Sequence, residues 1–534
     1  MPQTTPIALC SQLACRLFLC SVLAVLSACS TLPKNTIQPI EYAFDTSTDE
    51  TALAKIVLPL REKYPQLTGY HVLEDPLEAL AARLELIDKA EKTIDLQYYI
   101  WDNDKVGALA LHGLIRAAER GVKVRLLIDD NNSKKMQGIY LALDQHPNID
   151  VRLYNPYRFR YVRTLDIALD LKRINRRMHN KSFIVDNQVS LIGGRNMSNQ
   201  YYNVSDNYQF SDVDVMLVGS ASDEIIHSFD EYWNDDYAYP VVNLVDPDKY
   251  KLDFAHLKTQ VADHYQLATV QNYLNLTARA DAFEHWLHSE IQLNWVEAFV
   301  VKDPPNKIKS LANEDEFLYA QLGQYLKQPE RSIDIISAYF VPQPAGTQLL
   351  TNFAQNGIQV RVLTNSFKAN DVALVHAFYA KYRKELIQQD VQLYEFLSAP
   401  EFSHLNAHTE EISQKSEVSL KGLSRSSLHA KMMALDEEQV FIGSFNFDPR
   451  SVKFNTEIGV ILNSPQLARA VHETMDKNLS KYAYKLVMNA QQQLNWKVRQ
   501  GNGEVQTLTK EPKMKWWQKF SLKVVSWLPL EDLM

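Results

Sequence analysis

The sequence predicts an α/β protein of two duplicated lobes, each a mixed sheet flanked by helices, related by a pseudo-two-fold axis. Two observations carry this prediction. A pattern of six positions that begins H-x-K-x4-D occurs twice, and every member of the second copy lies 250 residues after its counterpart. The segments around both copies also share one order of apolar runs and helical stretches, which is typical of a duplicated domain.

The apolar runs before the two motifs are matched. Residues 93–100 and 332–339 are rich in apolar side chains and bounded by polar ones, as buried strands are. A helical stretch follows each run and stops at a glycine, Gly121 in the first half and Gly357 in the second, before a β-branched strand. Each half therefore reads as β-α-β before it reaches its motif.

The repeated pattern gathers imidazoles, ammonium groups and hydrogen-bond donors into one candidate site. Its members are His179, Lys181, Asp186, Gly193, Gly194 and Asn196 in the first copy and His429, Lys431, Asp436, Gly443, Ser444 and Asn446 in the second. Alternate residues of a strand share a face, so the His and Lys of each copy can address one anion. A hairpin then returns the chain to the site. The predicted phosphate-binding residues are Gly194, Asn196, Ser444 and Asn446.

The sequence predicts different roles for two pairs of carboxylates, Asp186 with Asp436 and Asp212 with Glu457. Asp186 and Asp436 stand among the candidate catalytic residues with the histidines and lysines because they belong to the motif. A carboxylate beside a phosphate would repel it, so a structural role in a hairpin turn is the stronger prediction for both. Asp212 and Glu457 begin matching strands after the motifs, and we predict that they orient the imidazoles.

The paired motif is identified as the signature of the phospholipase D superfamily, and the resemblance covers residues 69–463. It implies two phospholipase D-like lobes and a two-step transfer of a phosphodiester group with no metal or other cofactor. One histidine attacks phosphorus, and the other protonates the leaving alcohol and then activates the acceptor. The resemblance suggests His179 as the nucleophile and His429 as the acid and base, although the reverse order stays open.

Segments outside the motif resemble bacterial cardiolipin synthases of the C type. These segments are residues 175–181, 363–371, 375–379, 443–451 and 455–457. The resemblance implies phosphatidylglycerol as acceptor, phosphatidylethanolamine as donor and a membrane as partner. A phospholipase D that transfers the phosphatidyl group to water, a nuclease and a non-enzymatic structural lipoprotein are the alternatives. The net charge of −8 disfavours binding to nucleic acid, and two intact motifs disfavour the structural protein.

The first 29 residues hold all four cysteines and predict a lipoprotein leader. The apolar core at residues 17–26 is too short to span a bilayer but suits a signal peptide. Residues 26–29 resemble a lipobox, which implies removal of residues 1–28 and acylation of Cys29. An uncleaved anchor is the alternative. The predicted location is the periplasmic side of a bacterial membrane, with the outer membrane favoured.

The remaining boundaries follow from where the repeat starts and stops. They give an N-terminal linker at 29–68, lobe 1 at 69–240, a helical connector at 241–310, lobe 2 at 311–470 and a C-terminal helical region at 471–534. The basic stretch 158–177 predicts a patch for anionic headgroups, and residues 401–428 predict a loop over the site. The Trp/Lys-rich residues 513–528 predict either a core helix or an interfacial one. The oligomeric state stays open.

Overall fold

The computed structural model of this 534-residue chain describes residues 32–33, 35, 39–160, 162–204, 210–267, 270–271, 274, 293–398, 427–528 and 531–533. Two large mixed sheets with flanking helices form two lobes, which confirms the predicted fold class. The leader, Cys29 and most of the loop at 401–428 lie outside the described residues. None of the helices in the described ranges is long and apolar enough to cross a membrane.

Lobe 1 is built on a nine-stranded sheet. The strands in chain order are β1 (Thr68–Leu73), β2 (Thr93–Tyr98), β3 (Lys123–Asp129), β4 (Ile149–Tyr154), β5 (Ser182–Val185), β6 (Val189–Gly193), β7 (Phe210–Ser211), β8 (Asp214–Gly219), β9 (Ala238–Pro240) and β10 (Asn294–Val296). The sheet order is β10-β1-β8-β6-β5-β2-β3-β4-β9, and β7 lies outside it. Strands β2, β3 and β4 are parallel, and β5 and β6 form the predicted antiparallel hairpin.

Lobe 2 repeats this arrangement. Its strands are β11 (Ala298–Lys302), β12 (Ser332–Ser337), β13 (Gln359–Asn365), β14 (Gln392–Phe396), β15 (Ser427–Leu428), β16 (Lys431–Leu435), β17 (Gln439–Gly443), β18 (Ile458–Leu462), β19 (Ala483–Met488), β20 (Leu494–Arg499) and β21 (Val505–Leu508). The sheet order is β11-β18-β17-β16-β12-β13-β14-β19-β20-β21, and β15 pairs with β7 of lobe 1. From β1 and β11 onwards the two orders match strand for strand, so the sequence repeat is also a structural repeat.

Helices connect and cover the strands of both sheets. They are α1 (Ala52–Lys63), α2 (Pro76–Lys89), α3 (Lys105–Glu119), α4 (Gln137–Leu143), α5 (Arg163–Leu169), α6 (Leu171–Ile174), α7 (Ser220–Trp233), α8 (Phe254–Tyr265), α9 (Asn306–Lys309), α10 (Leu318–Tyr325), α11 (Gln343–Gln355), α12 (Ala373–Gln388), α13 (Pro449–Lys453), α14 (Pro465–Tyr482) and α15 (Trp516–Ser526). Gly121 follows α3 at φ 98° and Gly357 follows α11 at φ 84°, the left-handed backbone that ends a helix.

Three segments differ from the sequence prediction. The C-terminal region is not all helical, because β19 to β21 extend the second sheet after α14. Their alternating side chains, including Leu486 and Trp496, pack into the core of lobe 2. The N-terminal linker contains α1, whose Leu53 and Val57 are buried in the core of lobe 1. The helical connector also carries β10 and β11, which join the sheets of lobe 1 and lobe 2 respectively.

A hydrophobic core joins the two lobes and fixes their relative position. It contains residues from the motif hairpins and the strands beside them, namely Ile184, Ile192 and Val215 of lobe 1 and Met432, Ile442 and Val460 of lobe 2. All six side chains are buried. Because the same hairpins carry the motif residues, apolar burial at this seam brings the two copies of the motif together.

Candidate active site

Backbone hydrogen bonds across the seam hold both histidines. The His429 amide donates to the Ser211 carbonyl at 2.7 Å, at the end of the parallel pair that β7 forms with β15. In the matching place of the other half, the His179 amide donates to the Thr456 carbonyl at 2.9 Å. Each histidine is thus tied to the opposite lobe, at the residue that immediately precedes a candidate carboxylate.

Each imidazole contacts the carboxylate of the opposite lobe. Nδ1 of His179 lies 2.8 Å from Oε2 of Glu457, and Nδ1 of His429 lies 2.5 Å from Oδ2 of Asp212. Both carboxylate side chains are fully buried. An Nδ1–H that donates to a carboxylate leaves the lone pair of the neutral ring on Nε2. The structure therefore shows which histidine each carboxylate serves, a pairing on which the sequence was silent.

Burial lowers the pKa of both histidines. It lowers the pKa of His179 to about 4, against the opposing effect of the Glu457 carboxylate. It lowers the pKa of His429 to about 3, where the Lys431 ammonium adds to the effect and Asp212 opposes it. Both imidazoles are therefore neutral near pH 7 in the free protein, and a neutral imidazole is the form that attacks phosphorus.

The carboxylates remain ionised beside these rings. Burial alone would raise the pKa of Glu457, but the charge of His179, its hydrogen bond and the Lys181 ammonium together hold that pKa below its usual value. The pKa of Asp212 is lowered in the same way, against burial, by His429 and Lys431. An ionised carboxylate at Nδ1 stabilises the positive charge that develops on each ring during proton transfer or attack.

The two lysines lie next to the histidines but make different contacts. Nζ of Lys181 donates to the His179 carbonyl at 2.6 Å. Nζ of Lys431 donates to the His429 carbonyl and also lies 2.9 Å from Nδ1 of the His429 ring. Burial lowers the pKa of Lys181 to about 7 and lowers that of Lys431 as well. The ammonium groups are in place to stabilise phosphoryl oxygens, and their charge is sensitive to pH.

This sensitivity leads to the first prediction, a fall in kcat/KM above about pH 7. Lys181 is charged only below its pKa of about 7, and kcat/KM reports the groups of the free enzyme. A Lys181→Arg variant keeps its charge at high pH and should lose the alkaline limb, even if its maximal rate is lower. The measurement is kcat/KM between pH 5 and 9 in both proteins. An identical alkaline limb in the variant would assign the titration to another group.

The predicted phosphate-binding residues fall into two groups. Asn196 and Asn446 line the cavity between the histidines. The amide nitrogen of Asn196 donates to the Tyr201 hydroxyl at 2.8 Å, and the side-chain oxygen of Asn446 is buried without a hydrogen-bond partner among the described residues. The unpaired Asn446 oxygen is an acceptor, so it suits a hydroxyl or ammonium donor of a ligand, whereas only the side-chain nitrogen of Asn446 can donate to a phosphate oxygen.

Ser444 and Gly194 support the carboxylates of the site. The Ser444 hydroxyl donates to Glu457 and accepts the Ile458 amide, so its hydrogen bonds are used. Gly194 packs against Asp212, where a Cβ atom would come within 2.2 Å of Oδ1. Neither residue is among those that line the cavity with the two histidines, so phosphate binding by Ser444 and Gly194 stays a prediction.

Asp186 and Asp436 lie away from the histidines. A strand of four residues separates Lys181 from Asp186, roughly 16 Å. Each aspartate accepts three backbone amides of the loop before the central strand of its lobe; the donors are Glu91, Lys92 and Thr93 for Asp186 and Glu330, Arg331 and Ser332 for Asp436. These bonds tie each hairpin turn to the start of the central strand, and a structural role stays the prediction for both aspartates.

The basic stretch before His179 is mostly neutralised by internal ion pairs. Arg160 and Arg163 pair with the buried Asp130, and Arg177 pairs with Asp129. Further pairs join Arg158 and Arg173 to Asp170. These pairs hold lobe 1 together, and of the basic residues in the stretch Arg177 lines the cavity that contains the histidines.

A cavity of about 650 Å³ lies at the seam and contains both histidines. Two arginines line it, Arg177 and Arg450, and Arg450 also donates to the Asn175 side chain at 2.8 Å. Arg450 lies in residues 443–451, which carry part of the family resemblance, but no motif position indicated a role for it. Within the described ranges, no cluster of three or more His, Cys, Asp or Glu side chains has the arrangement of a metal site.

Aromatic side chains that the sequence argument missed enclose the imidazoles. The Tyr99 ring meets His179 edge-on at 5.0 Å, and the Tyr201 ring meets His429 in the same way at 5.1 Å. Phe210 lies 4.8 Å from the His429 ring. Tyr99 directly follows β2, and Phe210 stands two residues before a candidate carboxylate, so positions at strand ends were the available signal.

Known proteins share this architecture. The family described as "Cardiolipin synthase, PLD-like domain" matches residues 84–233 and 322–479, more than half of the chain. Cardiolipin synthase C of Escherichia coli K12 is 38% identical over 483 residues, which are 90% of this chain and 99% of that protein. An uncharacterized protein of Helicobacter pylori J99 is 31% identical, over 84% of this chain and 86% of that protein. The crystal structure of phosphatidylserine synthase from Haemophilus influenzae matches with a TM-score of 0.53 at 13% identity, covers 90% of this chain and 100% of that one, and shows the fold alone.

Proposed function

Because the chain belongs to the phospholipase D-like family of cardiolipin synthases, we propose that it is a phosphatidyltransferase that joins two phospholipids into cardiolipin through a phosphohistidine intermediate. One observation carries the proposal. Two neutral imidazoles, each paired through Nδ1 with a buried carboxylate of the opposite lobe, line a single cavity. This is the arrangement that a separate nucleophile and acid need in a two-step displacement.

In the proposed first step, Nε2 of His179 forms a bond to phosphorus of the donor lipid while the bond to the headgroup alcohol breaks. His429 gives its proton to the departing oxygen. It acquires that proton when the anionic phosphodiester enters, since a nearby negative charge favours imidazolium. The ammonium groups of Lys181 and Lys431 and the Asn446 amide stabilise the phosphoryl oxygens.

In the proposed second step, a hydroxyl of phosphatidylglycerol gives its proton to His429 and attacks the same phosphorus. The bond to His179 breaks, and the imidazole returns to its neutral form. Both acceptor and donor thus react at one phosphorus in one cavity. Water at the acceptor position would give phosphatidic acid, so a phospholipase D that uses the same intermediate is the second candidate function.

The proposed donor, phosphatidylethanolamine, carries an ammonium group that needs a negative partner. The Asp371 carboxylate lines the cavity and accepts the Tyr339 hydroxyl at 2.8 Å. An ammonium at Asp371 would leave the phosphate and the anionic acceptor to the ammonium groups of Lys181 and Lys431 and to Arg450, which lines the cavity. This charge distribution supports a zwitterionic donor together with an anionic acceptor.

The second prediction tests this assignment with purified protein in vesicles. A mixture of phosphatidylglycerol and phosphatidylethanolamine should yield cardiolipin and one ethanolamine per cardiolipin, at the same rate with and without a metal chelator. Lipid extracts and free ethanolamine are the measurements. Phosphatidic acid as sole product would favour the hydrolase, and cleavage of single-stranded DNA without lipid turnover would contradict the proposal.

We further propose that the protein is a lipoprotein held by acylated Cys29 at the periplasmic face of a bacterial membrane, with the outer membrane favoured. The name cardiolipin synthase states that the relative makes cardiolipin, and cardiolipin is a membrane lipid. This supports membrane association of the present chain. The finer assignment depends on the leader sequence.

The third prediction concerns this anchor. A Cys29→Ser protein should no longer incorporate labelled palmitate, whereas the matched leader variant Cys20→Ser should label normally. Because the Trp/Lys-rich C-terminal segment is a second candidate membrane signal, we expect Cys29→Ser to leave the membrane pellet fully only when residues 513–534 are also deleted. Palmitate label in the Cys29→Ser protein would reject the lipobox.

A further inference from the structure

The C-terminal helix α15 exposes a row of large apolar side chains. Trp516 is 82% exposed, Phe520 66% and Trp527 72%, and Val524 is exposed between them. Trp527 directly follows the last residue of the helix, and spacings of four, four and three positions place the row along one face. The helix contains no buried residue, which rejects the prediction of a core helix.

Lysines flank this aromatic face. Lys515, Lys519 and Lys523 each stand one position before a member of the row, and Nζ of Lys523 lies 5.7 Å from the centre of the Trp527 ring. Tryptophan and lysine together are the composition of helices that lie in the interface of an anionic bilayer. The chain as a whole carries a net charge of −8, so this local positive charge would orient it on such a surface.

The orientation of α15 is fixed by contacts at both ends. Before the helix, Glu511 accepts hydrogen bonds from Arg383 at 2.9 Å and from His376. After it, Glu531 accepts from Lys381 at 2.6 Å. All three partners belong to α12, against which α15 packs. The aromatic face is therefore held in one direction relative to lobe 2.

A second exposed apolar surface comes from α5 and α6 of lobe 1. Ile167 is 48% exposed, Leu169 59% and Leu171 45%. Ile167 and Leu171 also line the active-site cavity. This surface is therefore the apolar rim of the cavity on the lobe 1 side.

Elements that contact α15 and its flanking residues line the same cavity as the α5–α6 surface. Val372 and Val375 line the cavity at the start of α12, the helix that carries α15. After α15, Asp532 accepts from Lys453 at 2.8 Å, at the end of the short helix that brings Arg450 and Ser451 to the cavity. The cavity is thus lined by the α5–α6 surface of lobe 1 and, in lobe 2, by the elements that hold α15.

We propose that α15 and the α5–α6 rim dock together onto one anionic phospholipid bilayer and turn the active-site cavity towards it. The apolar rim then gives lipid headgroups a path to the histidines while their acyl chains stay with the membrane. The inference rests on the proposed function for the identity of the substrates, but the docking itself needs no catalysis. It makes the full-length chain a membrane-binding protein independently of acylation at Cys29.

The test uses tryptophan fluorescence of the full-length protein with phosphatidylglycerol vesicles whose acyl chains carry bromine, a contact quencher. We expect strong quenching, most of which disappears in the Trp516→Phe/Trp517→Phe/Trp527→Phe variant because the chain's other tryptophans are not in α15. A Lys515→Gln/Lys519→Gln/Lys523→Gln variant should bind these vesicles about 100-fold more weakly, given the contribution of each lysine near an anionic surface. Unchanged quenching in the phenylalanine variant would overturn the role of α15.

A second probe reports on the lobe 1 surface. Leu169→Trp, introduced into the triple phenylalanine variant, should restore quenching, whereas the matched control Leu311→Trp, at a residue that is 72% exposed and belongs to neither surface, should not. Absence of quenching at residue 169, or equal quenching at both positions, would contradict joint docking. Because binding is read without turnover, a protein that binds but makes no cardiolipin would reject the proposed function and leave the docking surface intact.

Discussion

A His429→Ala protein should accumulate a phosphatidyl adduct on His179 when the donor lipid carries a good leaving group. The neutral His179 ring, with Nδ1 held by Glu457, keeps its nucleophilic Nε2 in this variant. What it lacks is the acid for the first step and the base for the second, so turnover of the natural lipid should fall by at least ~100-fold. Rapid acid quench with labelled lipid, followed by peptide mapping, locates the adduct.

The His179→Ala protein should show the same loss of turnover and no adduct. The matched control is His256→Ala, which removes an exposed histidine whose Nδ1 also lies 2.8 Å from a carboxylate, that of Asp253, but which does not line the cavity. It should keep its activity. An adduct mapped to His429 would reverse the two roles, and full activity in either active-site variant would remove the mechanism.

The second large effect is expected at the carboxylates that cross the seam. Glu457→Gln removes the negative charge at Nδ1 of His179, and Asp212→Asn does the same for His429. A neutral amide neither fixes the tautomer nor stabilises imidazolium, so each substitution should reduce turnover by about 100-fold or more. Glu457→Gln should slow formation of the adduct, and Asp212→Asn should slow the proton transfers. The reason is that each carboxylate contacts a different histidine.

A donor lipid with a good leaving group separates adduct formation from proton transfer, because this group departs without help from an acid. With a good leaving group, Asp212→Asn should still form the adduct at a near normal rate, whereas Glu457→Gln should form it slowly, as single-turnover kinetics will measure. Asp186→Asn is the control for a purely structural carboxylate. It weakens hydrogen bonds to three loop amides, so it should lower the melting temperature and leave the ratio of the two steps unchanged. Equal effects of Glu457→Gln and Asp212→Asn on adduct formation would contradict the crossed assignment.

Much of the fold could be predicted from the sequence because the signals for strands, helix ends and the repeat are local. Apolar runs, a glycine after the matching helices α3 and α11, and a polar pattern repeated at one spacing identified strands, two helix ends and the duplication. The strands β20 and β21 and the helix α1 were missed because none of them belongs to the repeat, and β19 was missed because its counterpart β9 has only three residues. Their side chains were assigned to a sheet and a core only by partners distant in the chain.

Sequence by itself determined which side chains perform the proposed chemistry, since the two histidines, two lysines and two carboxylates could each be named from matched positions. Only the tertiary structure decided how they combine. The Glu457 carboxylate meets a histidine 278 residues away in the chain, and the basic stretch is neutralised by aspartates of other elements. Ser444 and Gly194 support carboxylates, and the aromatic face of α15 is exposed. The physical reason is that the spacing of apolar residues shows whether one face of a helix or strand is buried. The partner of a buried charge depends instead on how elements that are distant in the chain pack together.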